Sequence, residues 1–241
     1  MRDLTLTKSL ASSVFAFTLA VSAPAFASSI DFTGEGKSAA VTIRSPGLGV
    51  LSTYAGELDW TWIGAPPAGQ PASFYTYCVD LNHYLLDPQD VTLSTSDFMT
   101  AAGVTDAGGK AAWLINTYAP SIHQSGSDVD AAALQVAIWE AISDNIPNLS
   151  AGGFSLIGSP AIATGAQGYL SALFSGPGGY HTSTALWLDA PLGRGQDQMT
   201  PTPEPASLLL CGSGLIMFAR RKRRDRRLTA RKQKKVADKA D

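Results

Sequence analysis

Two residues in this chain have types and surroundings that could do chemistry. Cys78 lies in the run FYTYCVDL, Phe74 to Leu81, and Gln135 in AAALQVAIWEAISD, Ala131 to Asp144. At about 100° per residue the second run reads as an amphipathic helix. Ala131, Gln135, Ile138, Trp139 and Ile142 share its apolar face, and Asp130, Ala133, Ala137, Glu140 and Asp144 share the other. An amide in the middle of a greasy stripe is expensive to bury unless something pairs with it. A thiolate held against that amide removes the problem. Sulfur attacks the carboxamide carbon, ammonia leaves, and a Cys–Gln thioester remains. Enforced proximity supplies the rate, and burial keeps water from the product. The alternative is a free Cys78 packed as a small hydrophobe, with Gln135 bonded to a neighbouring backbone.

Other chemistry is thinner. Cys78 and His83 would make a nucleophile pair, but their spacing on one strand and turn points them to different faces. His83, His123 and His181 lack metal-ligand spacing. Asp80, Asp87 and Asp90 gather near a turn without a calcium-loop signature and read as a solvated acidic edge. No phosphate loop or dinucleotide fingerprint is present. The residues call for neither metal nor cofactor.

Positioning Cys78 and Gln135 needs a strand and a helix from distant parts of the chain. Short β-rich runs start at Val41, Leu51 and Leu58, and Leu58, Trp60 and Trp62 alternate with polar neighbours. Phe74 to Leu81 is a further strand, with Phe74, Thr76, Cys78 and Asp80 on one face. VTLSTS from Val91 is another. Helices follow near 110–118, at 128–144 with Ser127 or Asp128 as cap, and near 163–174. Ser183 to Ala190 reads as a closing strand. The expected class is α+β: a β-rich sandwich or barrel-like core with a helical insertion of two or three helices.

The flanks are signals. Arg2 and Lys8 precede an apolar run, Leu10 to Val21, and Ala25-Phe26-Ala27 is a small-x-small site, so cleavage is expected between Ala27 and Ser28. The body spans 28–190, and 191–205 reads as a Pro/Gly-rich linker. A short apolar segment and a basic block that includes Arg220, Arg221, Lys222, Arg223 and Arg224 occupy 206–227, and a charged tail 228–241. The basic block orients the segment with its basic side cytoplasmic. The segment itself is short for a stable span, which suits a transient anchor in the inner membrane. Charge is segregated. From Ser28 to Pro203 four basic residues stand against fifteen acidic ones, a balance that excludes nucleic acid as a partner.

Pro203-Glu204-Pro205, then the apolar run, then the Arg-rich block, resembles the PEP-CTERM sorting signal of Gram-negative bacteria. The resemblance implies recognition of Pro203, Glu204 and Pro205 by an exosortase-type processing enzyme. It also implies delivery to the cell surface or extracellular matrix. In the body, TYCVD and LQVAIW resemble the two signatures of bacterial surface thioester domains, with AAWLINTYAPS between them similar to that family's helix and turn. That resemblance implies a Cys78–Gln135 cross-link and a non-enzymatic covalent adhesin whose partner is an amine on a surface or matrix molecule. The open alternatives are a structural or non-covalent envelope or exopolysaccharide-matrix protein and, more remotely, a secreted hydrolase.

Overall fold

The computed structural model describes residues 27–45, 48–175, 183–191 and 194–202. The sorting residues Pro203, Glu204, Pro205 and Arg220 to Arg224 lie outside them. Among the described residues no helix is long and apolar enough to cross a membrane. The expected cleavage between Ala27 and Ser28 falls at the first residue of a strand, β1 (Ala27–Ser45).

The short runs at Val41, Leu51 and Leu58 merge into two long strands, β1 and β2 (Gly49–Trp62). They pair antiparallel from Ile30↔Trp62 to Ser45↔Gly49, with register shifts between Phe32 and Gly34 and between Glu35 and Ser38. Such bulges bend a ribbon and increase its twist. Gly56 occupies this bend at φ +144, where a Cβ would meet the Lys37 carbonyl oxygen at 2.2 Å, so only glycine fits.

β3 (Ser73–Cys78), β4 (Gln89–Thr95), β5 (Ser155–Ile157), β6 (Leu186–Asp189) and β7 (Gln198–Thr200) complete the sheet. Its order is β2-β3-β7-β6-β4-β1-β5, all antiparallel, and the additional β2–β1 pairing closes six strands into a ring. The fold is α+β with a sheet core, as the patterning indicates. Leu58, Trp60 and Trp62 face the ring's interior with Ile30, Phe32, Phe74, Val91 and Leu188. Trp60 is fully buried, and its indole N–H donates to Thr76 Oγ1 at 2.9 Å, which donates to Gln198 Oε1 at 3.1 Å.

The segment expected to be a linker, 191–205, departs from that reading. β7 lies inside it, wholly buried between β3 and β6. Three residues are too few to show a period, and the strand is held by its neighbours rather than by its own pattern.

Three helices cover the outer face of the sheet: α1 (Ala107–Ser125), α2 (Asp128–Ser143) and α3 (Pro160–Ser175). α1 runs further than 110–118 and contains Pro120, which removes one backbone donor from its last turns. Its start presses against the turn after β4, where a Cβ on Gly108 would lie 1.9 Å from the Ser96 carbonyl oxygen. Ser127 caps α2 in a reciprocal capping box with Asp130. α2 is not half-exposed. Ala131 through Ile142 are all buried, including Ala133, Ala137 and Glu140 on the face expected to be wet. α3 covers that face, close enough that a Cβ on Gly165 would meet the Ala133 Cβ at 2.8 Å.

Candidate functional site

Cys78 ends β3, and Gln135 sits in the middle of α2. The register that sets Leu58 against Thr76 would set Gly56 against Cys78. β2 has turned toward β1 by then, and the β2–β3 ladder stops at Thr76. The backbone groups of Cys78 on that side would be orphaned. Gln135 takes them both. Its Oε1 accepts from the Cys78 N–H at 2.9 Å, and its Nε2 donates to the Cys78 carbonyl at 2.8 Å. The carboxamide therefore stands in for one residue of a strand and lies beside the residue that carries the thiol. Gln135 is 1% exposed and Cys78 4%. On the opposite edge Cys78 pairs with Gln198 of β7.

The thiol is enclosed by the turn that follows. Sγ donates to the Asp80 carbonyl oxygen at 2.9 Å, and the Asp80 N–H approaches Sγ at 3.4 Å. Burial pushes the thiol up to about 12. The Asp80 backbone and the Trp139 indole oppose the rise, and the Asp80 and Asp197 carboxylates add to it. Trp139 is one helical turn beyond Gln135, which brings its indole to the thiol.

The expected separation of Cys78 and His83 onto different faces does not hold. β3 ends at Cys78, so strand alternation stops there, and the turn swings His83 to the wall of the same cavity. This cavity of about 410 Å³ is lined by Cys78, Gln135, Trp139, His83, Glu35 and Glu57, among others. His83 Nδ1 lies 2.5 Å from Asp80 Oδ2, and Asp80 Oδ1 accepts the Asn82 N–H at 2.7 Å. Gln196 braces the turn from the far side, donating to the carbonyls of Asp80 at 2.9 Å and His83 at 3.2 Å. Gln196 escaped the sequence reading, as did the pairing of Asp80 with His83. The only trace is the Asp-x-x-His spacing just after the strand.

The Asp80, Asp87 and Asp90 cluster resolves into separate jobs. Asp87 accepts the Phe32 N–H and ties its loop to β1, and Asp90 accepts the Ser29 hydroxyl across the β1–β4 pairing. Among the described residues no three His, Cys, Asp or Glu side chains are grouped to hold a metal. His123 is half-exposed on another part of the surface, where its Nδ1 lies 3.0 Å from the buried Glu57 Oε2 and its ring stacks on Tyr75.

Compared with protein-family models, curated proteins and solved structures, the chain matches none.

Proposed function

We propose that this chain is an exported, surface-sorted bacterial protein whose body grips amine-bearing partners covalently through a Cys78–Gln135 thioester. One observation carries the covalent half. A glutamine side chain from α2 is docked on the backbone of the cysteine itself, both residues buried at the wall of one cavity. Bond formation joins Sγ to Cδ and releases Nε2 as ammonia, with the thiol proton leaving on nitrogen. A thiol pushed up to about 12 is a slow nucleophile. A single intramolecular event can be slow, because the reacting groups never separate. A hydrolase turning over substrate cannot, and the same burial argues against a Cys78/His83 hydrolase. The sorting half rests on Pro203-Glu204-Pro205 and the basic block, with an exosortase-type enzyme and, transiently, the inner membrane as partners.

A second reading keeps the geometry and omits the bond. The carboxamide is satisfied by two backbone hydrogen bonds and the thiol by the Asp80 carbonyl. In that reading Gln135 is a strap holding β3 to α2 in a structural or non-covalent matrix protein. Intact mass decides between them. The covalent reading expects wild-type protein lighter by one ammonia, with methylamine adding at Gln135 and freeing one thiol. Cys78→Ala should show neither effect. A full unmodified mass with a free thiol, before and after mild denaturation, leaves only the strap.

A further inference from the structure

We propose that His83, oriented by Asp80, is the proton-transfer group through which an incoming amine opens the Cys78–Gln135 bond. The inference rests on the thioester reading above and names the residue that works it. Aminolysis needs two proton movements. The attacking nitrogen must lose a proton as it bonds to Gln135 Cδ, and the departing Cys78 sulfur must gain one. A thiol held by its surroundings near the top of the thiol range is a poor leaving group as a bare anion. A single base that takes the proton from nitrogen and returns it to sulfur serves both needs.

His83 has the geometry. His83 lines the cavity that also reaches Cys78 and Gln135. Nδ1 is engaged by the Asp80 carboxylate at 2.5 Å, which fixes the ring's orientation and leaves Nε2 as the free nitrogen. Among the described residues no hydrogen bond to Nε2 is made. The side chain is 40% exposed, so an amine arriving from solvent meets it before it meets the buried pair. Asp80 in turn is anchored through its Oδ1 to the Asn82 N–H, and its carbonyl to Gln196. The same carbonyl accepts the thiol hydrogen, so one residue positions both the base and the sulfur.

The full step balances. Nitrogen–Cδ forms and Sγ–Cδ breaks. His83 Nε2 accepts the amine proton and passes it to Sγ, returning to its starting state. The products are an N-substituted amide at Gln135 and a free Cys78 thiol.

The test is methylamine incorporation by intact mass across the pH range in which free amine grows, on protein first shown to carry the bond. Titratable groups lining the two cavities that His83 borders are Asp80 in its own turn, Asp197 before β7, Glu35 of β1, Tyr54 and Glu57 of β2, Cys78 of β3 and Tyr84. All are kept. His83→Asn retains a donor where Nδ1 meets Asp80 and removes Nε2; His83→Ala opens room for added imidazole. Both variants should form the bond as fully as wild type and react with methylamine about a hundredfold more slowly near neutrality. Their pH profile should steepen toward that of the free amine, and imidazole should restore the rate of His83→Ala. Bonded variants reacting at the wild-type rate and profile, or unmoved by imidazole, overturn the role of His83 alone. Wild-type protein that never loses ammonia overturns the thioester reading and this step with it. If His83→Ala fails to fold, the conservative His83→Asn decides.

Discussion

A covalent link between Cys78 and Gln135 should change the stability of the body by an amount the structure lets us work out. The two residues are 57 apart in sequence. Closing a loop of that length in the unfolded chain is worth about 4 kcal/mol on the chain-entropy account of cross-links. Against this, the departing ammonia takes Nε2 with it, and the Cys78 carbonyl loses the donor it has at 2.8 Å. A buried carbonyl left without a partner costs about 1–3 kcal/mol. The bonded form should therefore exceed the methylamine-opened form by about 1–3 kcal/mol, because the N-methyl amide restores an N–H and releases the loop.

Urea unfolding followed by tryptophan fluorescence reads this difference, since Trp60 and Trp139 are buried in separate clusters. Mass measured after refolding restricts the comparison to protein whose bond survived. Cys78→Ala, which retains both backbone hydrogen bonds to Gln135, should unfold at the same urea concentration with or without methylamine. Coincident midpoints for bonded and opened wild-type protein would refute the reasoning, because they would leave no room for a 57-residue constraint.

Three further outcomes are expected. Gln135→Leu strands the Cys78 N–H and carbonyl together and should destabilise the body by about 2–6 kcal/mol in urea, whereas Cys78→Ala should cost far less; equal losses would show that the carboxamide does not hold β3. Glu140 is fully buried, its Oε1 accepts the Asn148 N–H, its Oε2 has no partner, and burial pushes its carboxyl up to about 7. A folded-state value above the unfolded one means stability complete below the unfolded value and lost as pH rises through about 7, by about 3 kcal/mol; Glu140→Gln should gain on wild type by that amount at slightly alkaline pH and lose the advantage in acid, and parallel stability curves would contradict it. Replacing Glu204, or deleting Ala206 to Arg227, should release the protein or strand it in the wrong cell fraction, and unchanged fractionation would count against a sorting role.

The site was half legible. Gln135 announced itself because a polar residue broke an apolar stripe, and Cys78 because an aromatic strand carried it. Those signals are local, and the α+β class follows from local patterns too. The strand order of the ring was hidden because it depends on which strands meet, and the register of β3 against β7 is set by contacts some 120 residues apart in the chain, such as Thr76 to Gln198. β7 itself is three residues in a segment rich in glycine and glutamine. The burial of Glu140 was equally out of reach, because α3 covers a face of α2 whose own residues would pass for a wet one. Cys78 and His83 were in view but assigned to different faces, since strand alternation was carried past the point where β3 ends.

Hydrogen bonding alone accounts for the glutamine but not for the cysteine. Where β2 bends away at Gly56, β3 needs one donor and one acceptor in the place of a neighbouring strand, and a primary carboxamide offers both on one planar group. Alanine, valine or serine at position 78 would present the same backbone to it. What sets this position apart is a thiol beside that amide, with the Trp139 indole close enough to oppose the rise that burial gives it. An indole N–H in that place is positioned to meet negative charge as sulfur attacks or departs. A strap needs the amide alone; the proposed chemistry at sulfur would also use the indole N–H.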